Sequence, residues 1–157
     1  DGIVKVTQPH ILSGQAMLSG EIARRTDYEV MPTAMRVAKD GEDTHDELVG
    51  EQAIVYHLKG KGLVVLTACG HAGVVNTVMH AREVTGVEDV HAVIGGFHLS
   101  GAPEEKIHRT ADDLLAFDPD VIVPMHCTGI ATIDALTERA PEKIILNSAG
   151  TQYVLES

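Results

Sequence analysis

Basic residues are scarce in this chain. Its 157 residues hold 12 Lys and Arg against 23 Asp and Glu, a formal charge of −11. A nucleic-acid binder needs a positive footprint on the phosphates, and a protein held on anionic lipid needs one too; both classes are disfavoured. Long apolar runs are also missing. None approaches the roughly 20 residues of a membrane-crossing helix, and no signal peptide opens the chain. Cysteine is limited to two residues, each close to a histidine, which reads as a pair of reduced thiols in a cytoplasmic protein rather than a disulfide framework. There is no internal repeat, low-complexity tract or linker, and the length suits one domain over 1–157. The first residue is Asp1 rather than methionine, which reads as a trimmed chain or as the later part of something longer. An apolar share of 44% with 22% charged residues is ordinary for a soluble acidic protein.

What is present is a repeated strand-to-turn device. LVVLTACGHAG (63–73) runs from a continuously apolar stretch into small residues that carry Cys69 and His71. A β-branched run without alternation is the pattern of a strand buried on both faces. VHAVIGGFHLSG (90–101) repeats the arrangement with a glycine pair and His98, and DVIVPMHCTG (120–129) with His126 and Cys127. Between these strands the pattern turns helical. Val74, Val75, Val78 and Met79 share a stripe that Gly86 closes. Pro103, Glu104 and Glu105 suit a helix start, followed by Ile107, Ala111, Leu114 and Leu115 on one face. A third helix carries Ile130, Ile133 and Leu136 and stops at Pro141.

The remaining segments read as follows. Residues 1–37 are irregular or strand-rich: IVKV (3–6) alternates weakly, Ser-Gly pairs at 13–14 and 19–20 punctuate short strands, and Pro32 breaks an apolar patch. KDGEDTHDE (39–47) is most simply a solvated acidic loop, with spacing that fits no EF-hand. Ile54, Tyr56 and Leu58 alternate with Val55, His57 and Lys59 as a half-buried strand, joined by a hairpin at Gly60–Lys61 to 63–66. Two final strands are expected at 143–146 and 152–155. Strand–helix–strand crossovers leave their strands parallel, so the carboxyl ends gather on the rim where α/β sheets bind ligands. His71, His98 and His126 should therefore converge.

Neutral imidazole is a ligand for zinc and for iron or nickel, and three histidines on rigid strand ends make most of a metal site. His10, His45, His57, His80, His91 and His108 lack that context and read as ordinary surface or core residues. A competing site is a structural zinc on Cys69, His71, His126 and Cys127, opposed by the tendency of neighbours 126 and 127 to point apart in extended backbone. Cys127 with a histidine is a candidate nucleophilic pair. Thr67 and Ser100 sit in no G-x-S-x-G elbow. Arg24 and Arg25, adjacent cations in an acidic chain, are candidates for an anionic substrate such as a phosphate ester.

GEIARRTDYE (20–29), DELVG (46–50), KGLVVLTACGHAGVVNT (61–77), VIGGFHLSG (93–101), VPMHCTG (123–129) and AGTQYVL (149–155) together resemble the metal-dependent hydrolases of the metallo-β-lactamase superfamily. The likeness is to the branch that includes dihydropterin ribofuranosyl-aminobenzene phosphate synthases. It implies an αββα sandwich with one or two divalent ions, zinc or else iron or manganese, on the rim between its sheets. His71 matches the third metal motif and His126 the fifth; His98 falls where many members carry a bridging aspartate. The superfamily's H-x-H-x-D-H motif is absent, DTHDE at 43–47 being the nearest text, so the chain looks like the later half of the fold.

The resemblance therefore implies a hydrolase in which metal-activated water attacks an ester, phosphoester or related bond of a small molecule, phosphorylated ones among the candidates. Half a sandwich also leaves apolar sheet exposed, so the expected partner is a second copy of the chain or a chain supplying the missing half. The rival reading is a non-catalytic dimerising or ligand-binding module derived from the same fold.

Overall fold

A computed structural model describes residues 3–31 and 34–156; the expected break at Pro32 lies outside them. The elements are β1 (His10–Ser13), β2 (Ala16–Leu18), β3 (Arg36–Lys39), β4 (Glu42–His45), β5 (Ile54–Leu58), β6 (Gly62–Thr67), α1 (Val74–Thr85), β7 (Val90–Gly96), α2 (Glu104–Leu115), β8 (Val121–Met125) and α3 (Ile130–Arg139), with a 3₁₀ turn at Pro141–Lys143. Six strands form one mixed sheet in the order β1-β2-β5-β6-β7-β8. β5 runs antiparallel to β6, whereas β6, β7 and β8 are parallel.

The parallel strands neighbour one another in chain order, so crossovers of one hand set their helices on one side of the sheet. Cross-strand register makes that side explicit: Val55 faces Val65, Val65 faces Val93 and Val93 faces Ile122. Residues directly opposite share a face, and all four are at most 1% exposed. Against Val93 and Ile122 pack Val74, Val75 and Val78 of α1, Ile107, Ala111 and Leu114 of α2, and Ala135 and Leu136 of α3, whereas Val55 and Val65 cluster with Ile22, Ala53, Ala72 and, from α1, Ala81. Gly86 closes α1 with a left-handed φ of 68°, and its N–H donates to the Arg82 carbonyl.

The opposite face holds Tyr56, Val64, Ala92 and Val121 in one row and Ile54, Leu66, Ile94 and Val123 in the next. It carries no helix layer among the described residues. Tyr153 and Leu155 of the carboxyl-terminal segment pack on it, while Ile54 and Tyr56 stay 36% and 44% exposed.

Several expectations change. The two final strands do not form: one parallel bridge joins Ile122 to Ile144, and the following segment lies over the sheet instead of extending it. IVKV has no strand assignment. The acidic stretch at 39–47 is largely a hairpin of β3 and β4, because Asp40 and Gly41 both take positive φ, 55° and 85°, as a tight two-residue hairpin turn requires. Ile130 does not join the apolar stripe of α3; it is 77% exposed, and Thr132, Ala135 and Leu136 make the buried face.

Candidate metal centre

The carboxyl ends of β6, β7 and β8 deliver His71, His98 and His126 to one rim of the sheet. Glycine makes that rim possible. A Cβ on Gly95 would stand 1.9 Å from the Thr67 carbonyl oxygen. On Gly96 it would stand 2.6 Å from Cys127 Sγ and 2.7 Å from His126 Cε1. The pair therefore leaves a notch into which the β8 turn folds. The β7–α2 and β8–α3 loops are then stitched together: the N–H groups of Leu99 and Ser100 both donate to the Cys127 carbonyl at 3.1 Å, and the Phe97 N–H donates to Thr128 Oγ1 at 3.2 Å. Within this brace His98 adopts φ 49°, a strained conformation for a residue with a Cβ and one that concentrates at functional sites.

His71 and His98 stack edge to face with ring centroids 4.5 Å apart. His71 Nδ1 lies 3.0 Å from Glu51 Oε1, and the other Glu51 oxygen accepts the Ala72 N–H. A carboxylate on Nδ1 fixes the tautomer and leaves Nε2 as the free lone pair, the usual support of a metal-binding imidazole. Burial pushes the His98 imidazole below the ordinary histidine value, and the neighbouring His71 acts in the same direction. That favours the neutral ring a ligand must be.

His126 sits slightly apart. Its Nε2 is 3.1 Å from Cys69 Sγ, and Cys127 donates to the Cys69 carbonyl at 3.3 Å. Among the described residues, the ligand triple whose atoms all lie within 4.8 Å of one another is Cys69, His126 and Cys127; the three histidines are spread more widely. Residues 126 and 127 occupy a turn rather than extended backbone, so their side chains reach the same place, contrary to the expectation that they point apart. Both cysteines are free thiols, and burial pushes the Cys127 thiol up. The donors suit a divalent ion of the zinc class, with nitrogen and sulfur ligands and a carboxylate behind one of them.

A cleft of about 610 Å³ opens beside His71 and His98. Tyr28, Ser100, Lys106 and Arg109 are among its polar lining. Glu29 forms its floor at 3% exposure, its carboxylate accepting the Val75 and Asn76 N–H groups at 3.0 and 2.8 Å at the start of α1. Burial pushes the Glu29 carboxyl above its ordinary range, against those bonds. Arg25 pairs with Glu83 on the surface, and the Arg24 guanidinium donates to the Glu47 carbonyl and, at 3.5 Å, to that of His71. Neither arginine is among the residues lining the cleft. Sequence reasoning passed over Glu29, Glu51 and Asn76. Asn76 accepts the Arg25 and Thr26 N–H groups at 2.7 and 2.9 Å and so holds the 20–29 segment against α1.

His80, His91 and His108 have partners elsewhere: the Ser19 carbonyl, Asp120, and Glu104 with Arg139.

The crystal structure of a metal-dependent hydrolase of the β-lactamase superfamily matches this chain with a TM-score of 0.83 at 28% identity, over 99% of this chain and 58% of that one. The fold is that of the metallo-β-lactamase superfamily. The metallo-β-lactamase-like architecture is represented here by one sheet and its helix layer. A Methanocaldococcus jannaschii protein named 7,8-dihydropterin-6-methyl-4-(β-D-ribofuranosyl)-aminobenzene-5′-phosphate synthase is 37% identical over 134 residues, 83% of this chain and 45% of its own length. An uncharacterised protein of the same organism is 28% identical over 133 residues, 85% of this chain and 48% of its own. The chain thus spans about half the length of the curated relatives it matches. No protein-family model matches it. No helix among the described residues is long and apolar enough to cross a membrane.

Proposed function

We propose that this chain is part of a metal-dependent hydrolase in which His71, His98 and His126 contribute ligands to one or two divalent ions, zinc or else iron or manganese. The observation that carries the reading is the delivery of three histidines by successive parallel strand ends, in a fold shared with a metal-dependent hydrolase. A bound ion supplies Lewis acidity toward water and toward the scissile group.

The chain's own residues do the positioning. Glu51 holds His71 in one tautomer, the braced loops hold His98 beside it, and the cleft admits a small molecule. Lys106 places positive charge on the wall of that cleft, which suits an anionic, phosphorylated substrate; a phosphate also appears in the name of the synthase relative. Arg24, anchored behind His71, and Arg25 are candidates for a lesser electrostatic role. The remaining metal ligands come from the further part of the fold that the longer relatives include, in a cytoplasmic protein.

Metal content tests the reading. Purified protein exchanged into excess zinc at neutral pH should retain metal, measured by elemental analysis. His71→Ala and His98→Ala should each lower the retained amount. No retained metal in the unaltered protein, alone or with its complementing half, overturns the reading.

A further inference from the structure

We propose that Cys69, His126 and Cys127 form a thiolate-rich site of their own, distinct from the His71–His98 pair, that takes a thiophilic divalent ion such as zinc, cobalt or cadmium. The proposal stands on the geometry of these three side chains and does not rest on hydrolysis. Bond lengths of about 2.3 Å to sulfur and 2.0–2.1 Å to nitrogen put donor atoms on one tetrahedral ion about 3.5–3.8 Å apart. The three donor atoms lie within 4.8 Å of one another, with Cys69 Sγ and His126 Nε2 at 3.1 Å. Adjustments of about 1 Å or less close them on an ion.

Backbone constraints hold the cluster ready. Cys69 lies just beyond β6, and the β8 turn brings His126 and Cys127 around on the same side. The notch at Gly96 keeps open the space that the Cys127 sulfur and the His126 ring fill, space that any side chain there would invade. The Cys127 carbonyl is fixed by two N–H donors from the β7–α2 loop. Two thiolates and an imidazole favour zinc-class ions over magnesium or calcium. Three protein donors leave a fourth position for solvent or a ligand, as in catalytic rather than structural zinc sites. One imidazole nitrogen serves one ion, so this site and the histidine site draw on His126 in competition.

Cobalt(II) is the probe. Titrating it into reduced, metal-free protein should produce a sulfur-to-cobalt charge-transfer band in the near ultraviolet. Cys69→Ser and Cys127→Ser should each abolish or strongly diminish that band, while His71→Ala and His98→Ala should leave it. Absence of the band while the His71 and His98 variants still lose metal would sink this proposal alone; a band present while those variants keep their full metal would sink the hydrolase reading alone. Should a cysteine variant not fold, alkylation of the unaltered protein gives the same answer: zinc should slow modification of both thiols, read by intact mass. No thiolate band in the unaltered protein, a band that survives both serine changes in folded protein, or thiols alkylated equally fast with and without zinc overturns the proposal.

Discussion

The two faces of the sheet are built from nearly the same residue types and end unequally covered: Val64, Ala92, Ile94 and Val123 are buried on the second face too, but its β5 edge is not. On one, Val93 and Ile122 disappear beneath the helices, and Val55 and Val65 beneath Ile22, Ala72 and Ala81. On the other, Ile54 and Tyr56 remain exposed beside a groove of about 370 Å³, lined also by Leu58, Val64, Leu66, Ile94, Tyr153 and Leu155. Alternation along each strand sets which residues share a side. Coverage depends on what the connections bring with them, and every helical crossover lands on the first side. The rim that carries the three histidines is anchored to the closed side, because Glu29 and Asn76 tie the 20–29 segment to α1.

Three measurements sharpen the contrast. Ile122→Ala removes a fully buried side chain from the closed face and should cost about 2–5 kcal/mol in urea unfolding; a loss below about 1 kcal/mol would mean that this face is loosely packed. An intermediate effect belongs to Glu29 on the same side. Burial raises its folded-state pKa above the ordinary 4.5, so its proton is held more tightly in the folded than in the unfolded chain. Its contribution is full below that value and is lost as pH rises through the folded one. Glu29→Gln should therefore gain stability relative to the unaltered protein as pH rises from 4.5 toward neutrality, measured by thermal unfolding across pH. A gap that narrows with rising pH would contradict this. The smallest effect belongs to the open face. Tyr56→Ser should change urea stability by no more than about 0.5 kcal/mol and should make the isolated chain less prone to self-association, measured by sedimentation.

The alternation of strand and helix from residue 54 to 139 was legible because period and punctuation agreed: apolar runs ended in glycine, and helical stripes ended at Gly86 or Pro141. The tail misled. Residues 143–146 and 152–155 have strand-like composition, but the 3₁₀ turn at Pro141–Lys143 and the turn at Ala149–Gly150 carry the chain over the sheet. Tyr153 and Leu155 then contribute apolar cover and no ladder. The Asp40–Gly41 turn was readable in principle, since Asp-Gly between alternating residues is a hairpin signal, but the acidity around it argued for a loop. At the rim, the placing of His71, His98 and His126 at strand ends followed from topology. Their supports did not. Glu51 meets Ala72 across 21 positions, and Glu29 meets Val75 and Asn76 across 46 and 47, and no local pattern marks such partners.

Gly95 and Gly96 carry a consequence for how this molecule can diversify. Any larger residue at either position collides with backbone or with the side chains that gather there. The floor of the rim is thus closed to drift, and new chemistry has to be written on the loops above it.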